Sequence, residues 1–241
     1  MYPVIFRLGG LSIYSYGLML GIAFLAGTWL ASREAGRKDI DPKIVWDFSF
    51  YFIIYAIIGA RIYYILFYDL DRYLTEPLSM FAIWRGGLAV HGGVIGGLIY
   101  GAYFTKKRRI SFTKFADTLT PSFILAQAIG RVGCLLNGCC YGTPSALPWA
   151  IDGRHPTQIY HMLANLGIFV IIWNIRKRFR SDGLLFFTYL ILYSVMRFMI
   201  EFFRADSLYL WNTDLKSAQA ISILIVTISI FFIFKKLRKN T

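Results

Sequence analysis

Charged residues are scarce in this chain, and acidic residues and cysteines are scarcer still. Only 16% of the 241 residues are charged, 13 are acidic and three are cysteines. So little charge excludes a soluble domain, whose surface must be wetted, and three cysteines allow at most one disulfide. The chain also lacks low-complexity segments and repeats of fixed period, which argues against a solenoid or a simply duplicated transporter. Inverted repeats, which can be invisible in sequence, stay open.

Hydrophobic residues dominate the chain and occur in long blocks. They make up 57% of the residues, and the mean hydropathy is +0.54. The blocks are roughly 18 to 25 residues long, which is the length of helix that crosses the hydrocarbon of a bilayer. The pattern predicts an all-α, polytopic bundle of about seven transmembrane helices in a single membrane domain, residues 1–241. The predicted helices lie near 12–31, 44–67, 88–104, 112–136, 157–174, 184–203 and 218–234.

Basic residues outnumber acidic ones by 26 to 13, which raises the question of a nucleic-acid partner. Their distribution answers that question, because they cluster in short runs between the apolar blocks. Loops rich in Lys and Arg stay on the cytoplasmic side, so the charge predicts topology and no nucleic-acid binding. The four runs lie at 33–43, 106–109, 176–180 and 235–239.

Placing these basic runs inside the cell puts the N-terminus outside and the C-terminus in the cytoplasm. The connections on the outer side are then 68–87, 137–156 and 204–217, and we expect them to form a small cap. The first apolar block lacks a basic n-region and is followed by Arg33 and Arg37 where a cleavable signal would have small residues. We therefore expect this block to remain as a helix.

Ionisable residues inside the apolar blocks are candidates for function. Each costs roughly 2.5 to 3.5 kcal/mol near the bilayer centre, so it needs a partner or a purpose. Under the predicted topology, most of them fall in the outer halves of their helices. Arg61 is the exception, and we assign it no role because such arginines often reach to an interface. The others are His91, Arg131, Arg197 and Glu201.

The two arginines of the outer halves differ in their neighbours. Arg197 has Glu201 four positions further on, and the two side chains can simply neutralise each other. Arg131 has no acidic residue within a helical turn. It needs either a partner on another helix or an anion, and we favour the anion because a guanidinium matches a phosphate well.

His91 opens a stretch in which four of seven residues, His91 to Gly97, are glycines. Glycines let another backbone or a lipid headgroup approach closely. The histidine is therefore either a packing residue or a general base.

The segment from Gly130 to Gly142 contains Arg131, Asn137 and all three cysteines, at positions 134, 139 and 140. Asn137 followed by Gly138 is typical of a helix end. The cysteine spacing is not CxxC, and His155 is some fifteen residues further on, so we predict no metal site. Cys134 is expected to be a small buried residue, and a disulfide through Cys139 or Cys140 stays open in an oxidising compartment.

Taken in order, these motifs resemble those of the bacterial prolipoprotein diacylglyceryl transferases, nearly from end to end. Each motif alone is a weak signal, but their order and spacing together are specific. The matching pieces are Tyr14-Ser15-Tyr16-Gly17, His91-Gly92-Gly93, the segment Gly130 to Gly142, Arg154-His155-Pro156-Thr157-Gln158-Ile159-Tyr160, and Arg197-Phe198 with Glu201-Phe202-Phe203-Arg204.

The resemblance implies transfer of a diacylglyceryl group from phosphatidylglycerol to the lipobox cysteine thiol of an exported prolipoprotein, the first step of lipoprotein maturation. It implies a multi-pass enzyme of the bacterial inner membrane, in contact with membrane lipids, with its active site toward the outer face. We expect no cofactor and no metal.

By position, the resemblance makes Arg131 and Arg197 essential arginines that bind the phosphate. His91 would act as the base, and Glu201 would orient Arg197. The remaining substrate-binding positions correspond to Tyr16, Asn137, Gly142 and His155, with the two arginines.

Three positions depart from the pattern most familiar in that family. Cys134 stands where Asn is usual, Cys139 where Glu is usual, and His161 where an acid often follows the His-Pro motif. One alternative is therefore a divergent paralogue with another acceptor. Another is an anion or lipid transporter, although the inner halves of the helices are nearly free of the charges that a transport route needs. A lipid-binding subunit without catalysis would tolerate the loss of His91.

Overall fold

The computed structural model describes residues 2–8, 11–179, 181–210 and 213–238, and these are mostly helical. Arg180 and Lys239 of the predicted basic runs lie outside these ranges. Within them a short hairpin of β1 (Val4–Leu8) and β2 (Leu11–Tyr14) precedes eight α-helices. The helices are α1 (Ser15–Arg37), α2 (Pro42–Tyr68), α3 (Leu70–Thr75), α4 (Val90–Lys107), α5 (Phe112–Asn137), α6 (Thr157–Ile175), α7 (Leu184–Glu201) and α8 (Ser217–Arg238).

The predicted helical membrane architecture is confirmed in its main features. Six of the described helices, α1, α2, α5, α6, α7 and α8, are long and apolar enough to cross a membrane. Only 11% of the apolar window of α2 and 17% of that of α8 are buried, as expected for helices whose solvent is lipid. The helix α4 occupies the place of the predicted helix 88–104, but its glycines and two lysines make it less apolar. The number seven therefore stays a prediction.

The first predicted helix is present, but it begins a few residues later than position 12 because a hairpin precedes it. Residues Leu11–Tyr14 pair with Val4–Leu8 in an antiparallel hairpin, and α1 begins at Ser15. The backbone N–H of Ser15 donates to the carbonyl of Pro3 over 2.9 Å, which closes the hairpin at the first residue of the helix. Aliphatic and aromatic residues suit either a strand or a membrane helix, so hydropathy alone does not separate the two.

The chain folds as two compact units, one of residues 1–31 and 116–241 and the other of residues 32–115. In the first unit, α5, α6 and α7 pack around a core of Ile124, Ile168, Ile172, Leu185 and Tyr189. These side chains hold together the three helices that carry the polar residues of interest.

A buried carboxylate fixes the start of α7 in this unit. Asp117 on α5 accepts backbone N–H groups from Gly183 over 2.7 Å and from Phe186 over 2.8 Å. A negative charge at a helix N-terminus satisfies orphan amides and complements the helix dipole. The contact therefore anchors α7, whose other end carries Arg197 and Glu201.

The second unit depends on glycine contacts between α2 and α4. A Cβ added to Gly59 would collide with the carbonyl oxygen of Gly92, and one added to Gly96 would lie 2.5 Å from that of Tyr55. The glycines that follow His91 therefore allow two helix backbones to approach closely, as their spacing predicts.

Arg61 organises the long connection of the same unit. Its guanidinium donates to the carbonyls of Ser79, Met80, Gly86 and Gly87, over 2.6 to 3.0 Å. Four carbonyl partners account for this buried charge, so Arg61 has a structural role.

Candidate active site

Two arginines of the first unit share one buried carboxylate. Nη2 of Arg197 lies 2.9 Å from Oε2 of Glu201, and Nε of Arg204 lies 3.8 Å from the same oxygen. The other carboxylate oxygen accepts the Ser207 hydroxyl over 2.6 Å. Glu201 is only 2% exposed. The predicted pairing of Arg197 with Glu201 is present, but Glu201 serves Arg204 as well.

A buried histidine contacts the same arginine. Nη1 of Arg197 lies 3.2 Å from Nε2 of His161, near the N-terminal end of α6. Because a guanidinium has donors only, Nε2 must accept, and a neutral ring then carries its proton on Nδ1. Nδ1 is buried and has no partner among the described residues. The ring is thus held in one tautomer with a free donor.

Positive charge is in surplus around this histidine. Arg131, Arg197 and Arg204 all act electrostatically on His161, although they come from α5, α7 and the segment after α7. Arg131 is half-buried and makes no hydrogen bond or ion pair to the residues that the structure describes. Arg204 has a second partner, the exposed Asp206, at 2.8 Å. Arg131 and Arg197 therefore lie near the same histidine, and a cluster of this charge suits an anion.

Lys216 closes the end of α7. Its ammonium donates to the carbonyl of Glu201 over 2.6 Å and to that of Arg204 over 3.2 Å. A cation at a helix C-terminus complements the helix dipole and satisfies unpaired carbonyls. The contact holds the short segment in which Glu201 and Arg204 lie.

The loop after α5 is joined to the end of α7 by backbone hydrogen bonds. Gly142 donates to the carbonyl of His155 over 2.9 Å, and Thr143 donates to that of Phe203 over 2.8 Å. A Cβ on Gly142 would lie 2.5 Å from both the His155 Cβ and the Phe203 carbonyl oxygen. Only glycine fits there, and the close contact brings the loop beside Arg204.

The end of α5 brings the three cysteines together. The N–H of Gly138 donates to the carbonyl of Leu135 over 3.3 Å, and the N–H of Cys139 donates to that of Cys134 over 3.1 Å. With Gly138 at φ = 75°, these bonds form a Schellman motif, which packs the side chains of positions i and i+5 against each other. Cys140 also has a positive φ, of 62°, and all three sulfur atoms lie within 4.8 Å of one another.

The two loop cysteines differ in acidity. The Cys134 thiol donates to Cys140 and lowers its pKa to about 5 against the opposing effect of burial, with further help from Cys139, Arg204 and Arg131. Burial and the neighbouring Cys140 raise the pKa of Cys139. The hydrogen bonds and the nearby arginines therefore favour the thiolate form of Cys140.

Tyr16 and Asn137 lie at the same cluster. An added Cβ on Gly133 would lie 3.3 Å from the Tyr16 ring, so this glycine lets α1 approach α5. Tyr16 interacts electrostatically with Arg131 and the cysteines, and the Asn137 side chain is hydrogen-bonded to Cys139. Both predicted positions therefore border the cysteines.

His155 lies among aromatic side chains. Its Nδ1 is 3.2 Å from the Tyr160 hydroxyl, which accepts the Trp149 indole N–H over 2.9 Å. The centroid of the Phe203 ring is 5.0 Å from that of His155. His155 thus connects the loop with the end of α7.

His91 belongs to the second unit, where it lies in the first turn of α4. Its ring is exposed, and its centroid is 6.0 Å from that of Tyr63. The other predicted site residues, Tyr16, Arg131, Asn137, Gly142, His155, Arg197 and Glu201, all belong to the first unit.

Among the site residues that the sequence did not predict are Arg204, Thr157 and Gln158. Arg204 lies three positions after Glu201, a helical spacing that could have identified it. Thr157 donates to the carbonyl of Cys140 over 2.6 Å, and Gln158 donates to that of Cys139 over 2.7 Å. Their partners are backbone carbonyls of a distant loop, so no sequence pattern indicates these two bonds.

Comparison with known proteins gives one consistent family. A family model described as prolipoprotein diacylglyceryl transferase matches residues 3–235. The chain is 41% identical to the phosphatidylglycerol–prolipoprotein diacylglyceryl transferase of Oceanobacillus iheyensis, over 95% of this chain and 86% of the relative. It is 42% identical to that of Geobacillus kaustophilus, over 94% and 89%. It is 36% identical to that of Thermosynechococcus vestitus, over 95% and 90%. The chain belongs to the prolipoprotein diacylglyceryl transferase family.

Proposed function

We propose that this chain transfers the diacylglyceryl group of phosphatidylglycerol to the thiol of a lipobox cysteine in exported prolipoproteins, releasing glycerol phosphate. The observation that carries the proposal is the surplus of guanidinium groups around His161, with Arg131 free of any ion pair to the described residues. Relatives that are 36 to 42% identical over nearly the whole chain carry phosphatidylglycerol and prolipoprotein in their names.

The arginines are suited to the leaving group of this reaction. The acceptor sulfur attacks a glyceryl carbon, the carbon–oxygen bond breaks, and its electron pair leaves on the phosphate. The phosphodiester becomes a monoester with additional negative charge, which Arg131 and Arg197 stabilise. Loss of one such contact costs about 2.7 to 4 kcal/mol in the transition state, or roughly a hundred to a thousandfold in rate.

Glu201 is the positioning residue of this arrangement. Its carboxylate contacts Arg197 directly and lies 3.8 Å from Nε of Arg204, and Ser207 holds the carboxylate in turn. Because a buried charge without a partner is costly, the ion pair also keeps this end of α7 folded.

The acceptor needs a base, because a free thiol with a pKa of about 8.5 is mostly protonated at neutral pH. His91 takes this role in our proposal, since its ring is exposed and makes no hydrogen bond to the described residues. Tyr16, Asn137 and His155 are proposed to bind the headgroup or the acceptor, and Gly142 is proposed to leave room beside them.

We also propose that the site faces outward from the bacterial inner membrane. Basic residues lie at the C-terminal ends of α1, α4 and α8 and follow α6, where loops stay cytoplasmic. Arg131 and Arg197 lie near the C-terminal ends of α5 and α7, and His161 lies near the N-terminal end of α6. Within each of these helices, the polar residue is at the end away from the neighbouring basic run.

The proposal is tested with purified protein, phosphatidylglycerol and a lipobox peptide. Mass spectrometry should detect the peptide with a diacylglyceryl thioether, in the same amount as released glycerol phosphate. A peptide with serine at the acceptor position is the matched substrate control. The protein Arg131→Ala, checked for monodispersity, is the matched enzyme control.

Absence of the thioether with well-folded wild-type protein and several lipobox peptides would contradict the proposed acceptor. Modification of the serine peptide would contradict a thiol nucleophile. Near wild-type product from Arg131→Ala would contradict the role of the guanidinium cluster.

A further inference from the structure

The three cysteines form a preorganised group of sulfur atoms. The Schellman motif places Cys139 against Cys134, and the positive φ of Cys140 turns its side chain back to the same place. Thr157 and Gln158 are almost completely buried and hold the carbonyls of Cys140 and Cys139. The position of the sulfur atoms is therefore determined by backbone contacts and does not depend on a bond between the sulfurs.

The spacing of these sulfur atoms fits a single metal ion. Zinc–sulfur bonds of about 2.3 Å in a tetrahedral site separate the sulfurs by roughly 3.8 Å, and the three atoms already lie within 4.8 Å of one another. Thiolate ligands select soft or borderline cations over magnesium or calcium. Three protein ligands leave one coordination position open, which is the arrangement of catalytic zinc sites.

We propose that Cys134, Cys139 and Cys140 bind one thiophilic cation of the Zn²⁺ class, and that the acceptor thiol occupies its fourth coordination position. The second clause rests on the proposed function, whereas the first does not. The three cysteines lack CxxC spacing, but the helix end brings positions i, i+5 and i+6 together.

The charges around the cluster suit such a complex. Three thiolates and a divalent cation carry a net charge of −1, and an added acceptor thiolate makes it −2. Arg131 and Arg204 both act electrostatically on Cys140, so the cations that compensate this charge are already present. The acceptor sulfur would then be held beside the guanidiniums that bind the phosphate.

The transfer step balances with the metal as a holder of the nucleophile. Coordination converts the acceptor thiol to a thiolate, and the proton of the thiol passes to the base of the proposed mechanism. The sulfur–carbon bond forms, the carbon–oxygen bond breaks, and glycerol phosphate leaves with the electron pair. The thioether that results is a weaker ligand than a thiolate, so the product can dissociate from the metal.

The test is a titration of the reduced, metal-free protein in detergent with Co²⁺, followed by displacement with Zn²⁺. We expect one Co²⁺ per chain, a thiolate-to-cobalt charge-transfer band in the near ultraviolet and the visible bands of a tetrahedral ion. Addition of a lipobox peptide should change the visible bands, whereas the serine peptide should not.

Ligand variants and a matched control make the result specific. The substitutions Cys134→Ser, Cys139→Ser and Cys140→Ser should each weaken Co²⁺ binding about a hundredfold or more, since even second-shell losses cost roughly 10 to 100-fold. Asp152→Asn removes an exposed carboxylate from the same loop and should bind Co²⁺ like the wild type. Monodispersity of each variant shows that folding is retained.

Several outcomes overturn the inference. They are the lack of a charge-transfer band in reduced wild-type protein, unchanged binding in the serine variants, and a cystine between two of these residues in protein purified without oxygen. If thioether still forms in those cases, the proposed transfer stands without the metal. If cobalt binds but the peptide leaves its spectrum unchanged, the fourth position does not hold the acceptor.

Discussion

Arg197 binds Glu201 one helical turn further along α7, with 2.9 Å between Nη2 and Oε2. The carboxylate is almost completely buried, so it depends on its two guanidinium partners for compensation. Arg197 in turn contacts His161, which connects the pair with α6. This pair therefore compensates a buried charge and belongs to the arginine cluster that we propose binds the phosphate.

Replacing Glu201 by Gln removes the negative charge and keeps the size and shape of the side chain. Without the carboxylate charge, Arg197 and Arg204 lose the negative group that they share, so their guanidiniums are held less firmly. We therefore expect the transfer rate to fall roughly tenfold to a hundredfold. The control is Asp206→Asn, which removes only an exposed partner of Arg204 and should change the rate less than about twofold. Equal effects of the two substitutions on the thioether rate would contradict a special role for Glu201.

The Arg131 guanidinium should be irreplaceable by an ammonium. Arg131→Lys keeps the charge but loses the planar fork that matches a phosphate, so activity should fall by about an order of magnitude or more in folded protein. Arg108→Lys is the matched control, because Arg108 is exposed and forms its ion pair with the exposed Asp47. Retention of full activity by Arg131→Lys would show that positive charge alone suffices.

Arg197→Ala should be about as damaging as removing both arginines, because groups that act on one transition state are not additive. Single and double variants with Arg131→Ala are compared by the rate of thioether formation. Simple multiplication of the two single losses in the double variant would indicate that the arginines act on separate steps.

Much of the fold could be predicted because the bilayer imposes it. Hydrophobic blocks of sufficient length predicted seven helices, of which six in the described structure are long and apolar enough to cross a membrane. Basic runs indicated their ends. The hairpin before α1 was missed, since its pairing depends on contacts between residues such as Val4 and Tyr14. The role of Asp117 was also missed, because its partner amides lie 66 and 69 residues further on.

The candidate site was predictable where spacing follows a helix. Arg197 and Glu201 are four apart on α7, and the structure pairs them. The cysteine cluster was not predictable, because it forms where the helix ends and the 3.6-residue period no longer applies. The glycine at position 138 predicted a helix end, but it did not predict that this end would bring the three cysteines together.

The acid–base role of His91 should appear in a pH profile. His91→Gln should reduce the rate at neutral pH with little change in phosphatidylglycerol binding, and the defect should shrink as pH approaches the acceptor's own pKa of about 8.5. The measurement is the rate of thioether formation by the wild type and by His91→Gln, compared at the same pH values from about 6 to about 9. A defect that stays constant with pH would indicate a packing role for this histidine.

Cysteine labelling tests the orientation of the chain. In a parent with its native cysteines replaced by serine, a cysteine at Lys107 should be protected from impermeant thiol reagents in intact cells. A cysteine at Asp214 should react, because this position lies in the predicted outer connection before α8. Both positions are exposed in the structure, so a difference reports the side of the membrane. The reverse pattern would overturn the outward placement of the site.

The Cys140 thiol should be alkylated at unusually low pH. Its pKa is lowered to about 5, chiefly by the hydrogen bond from Cys134, so the reactive thiolate persists as pH falls and disappears only near pH 5. The pKa of Cys139 shifts in the opposite direction, because burial raises it, so Cys139 should react only at alkaline pH.

Metal-free, reduced protein is treated with iodoacetamide across this pH range, and the modified peptides are quantified by mass spectrometry. Cys134→Ala tests the cause, since loss of the thiol donor to Cys140 should move its reaction profile toward higher pH. A Cys140 profile with a midpoint near 8.5, the value of an ordinary thiol, would show that the cluster does not hold a thiolate.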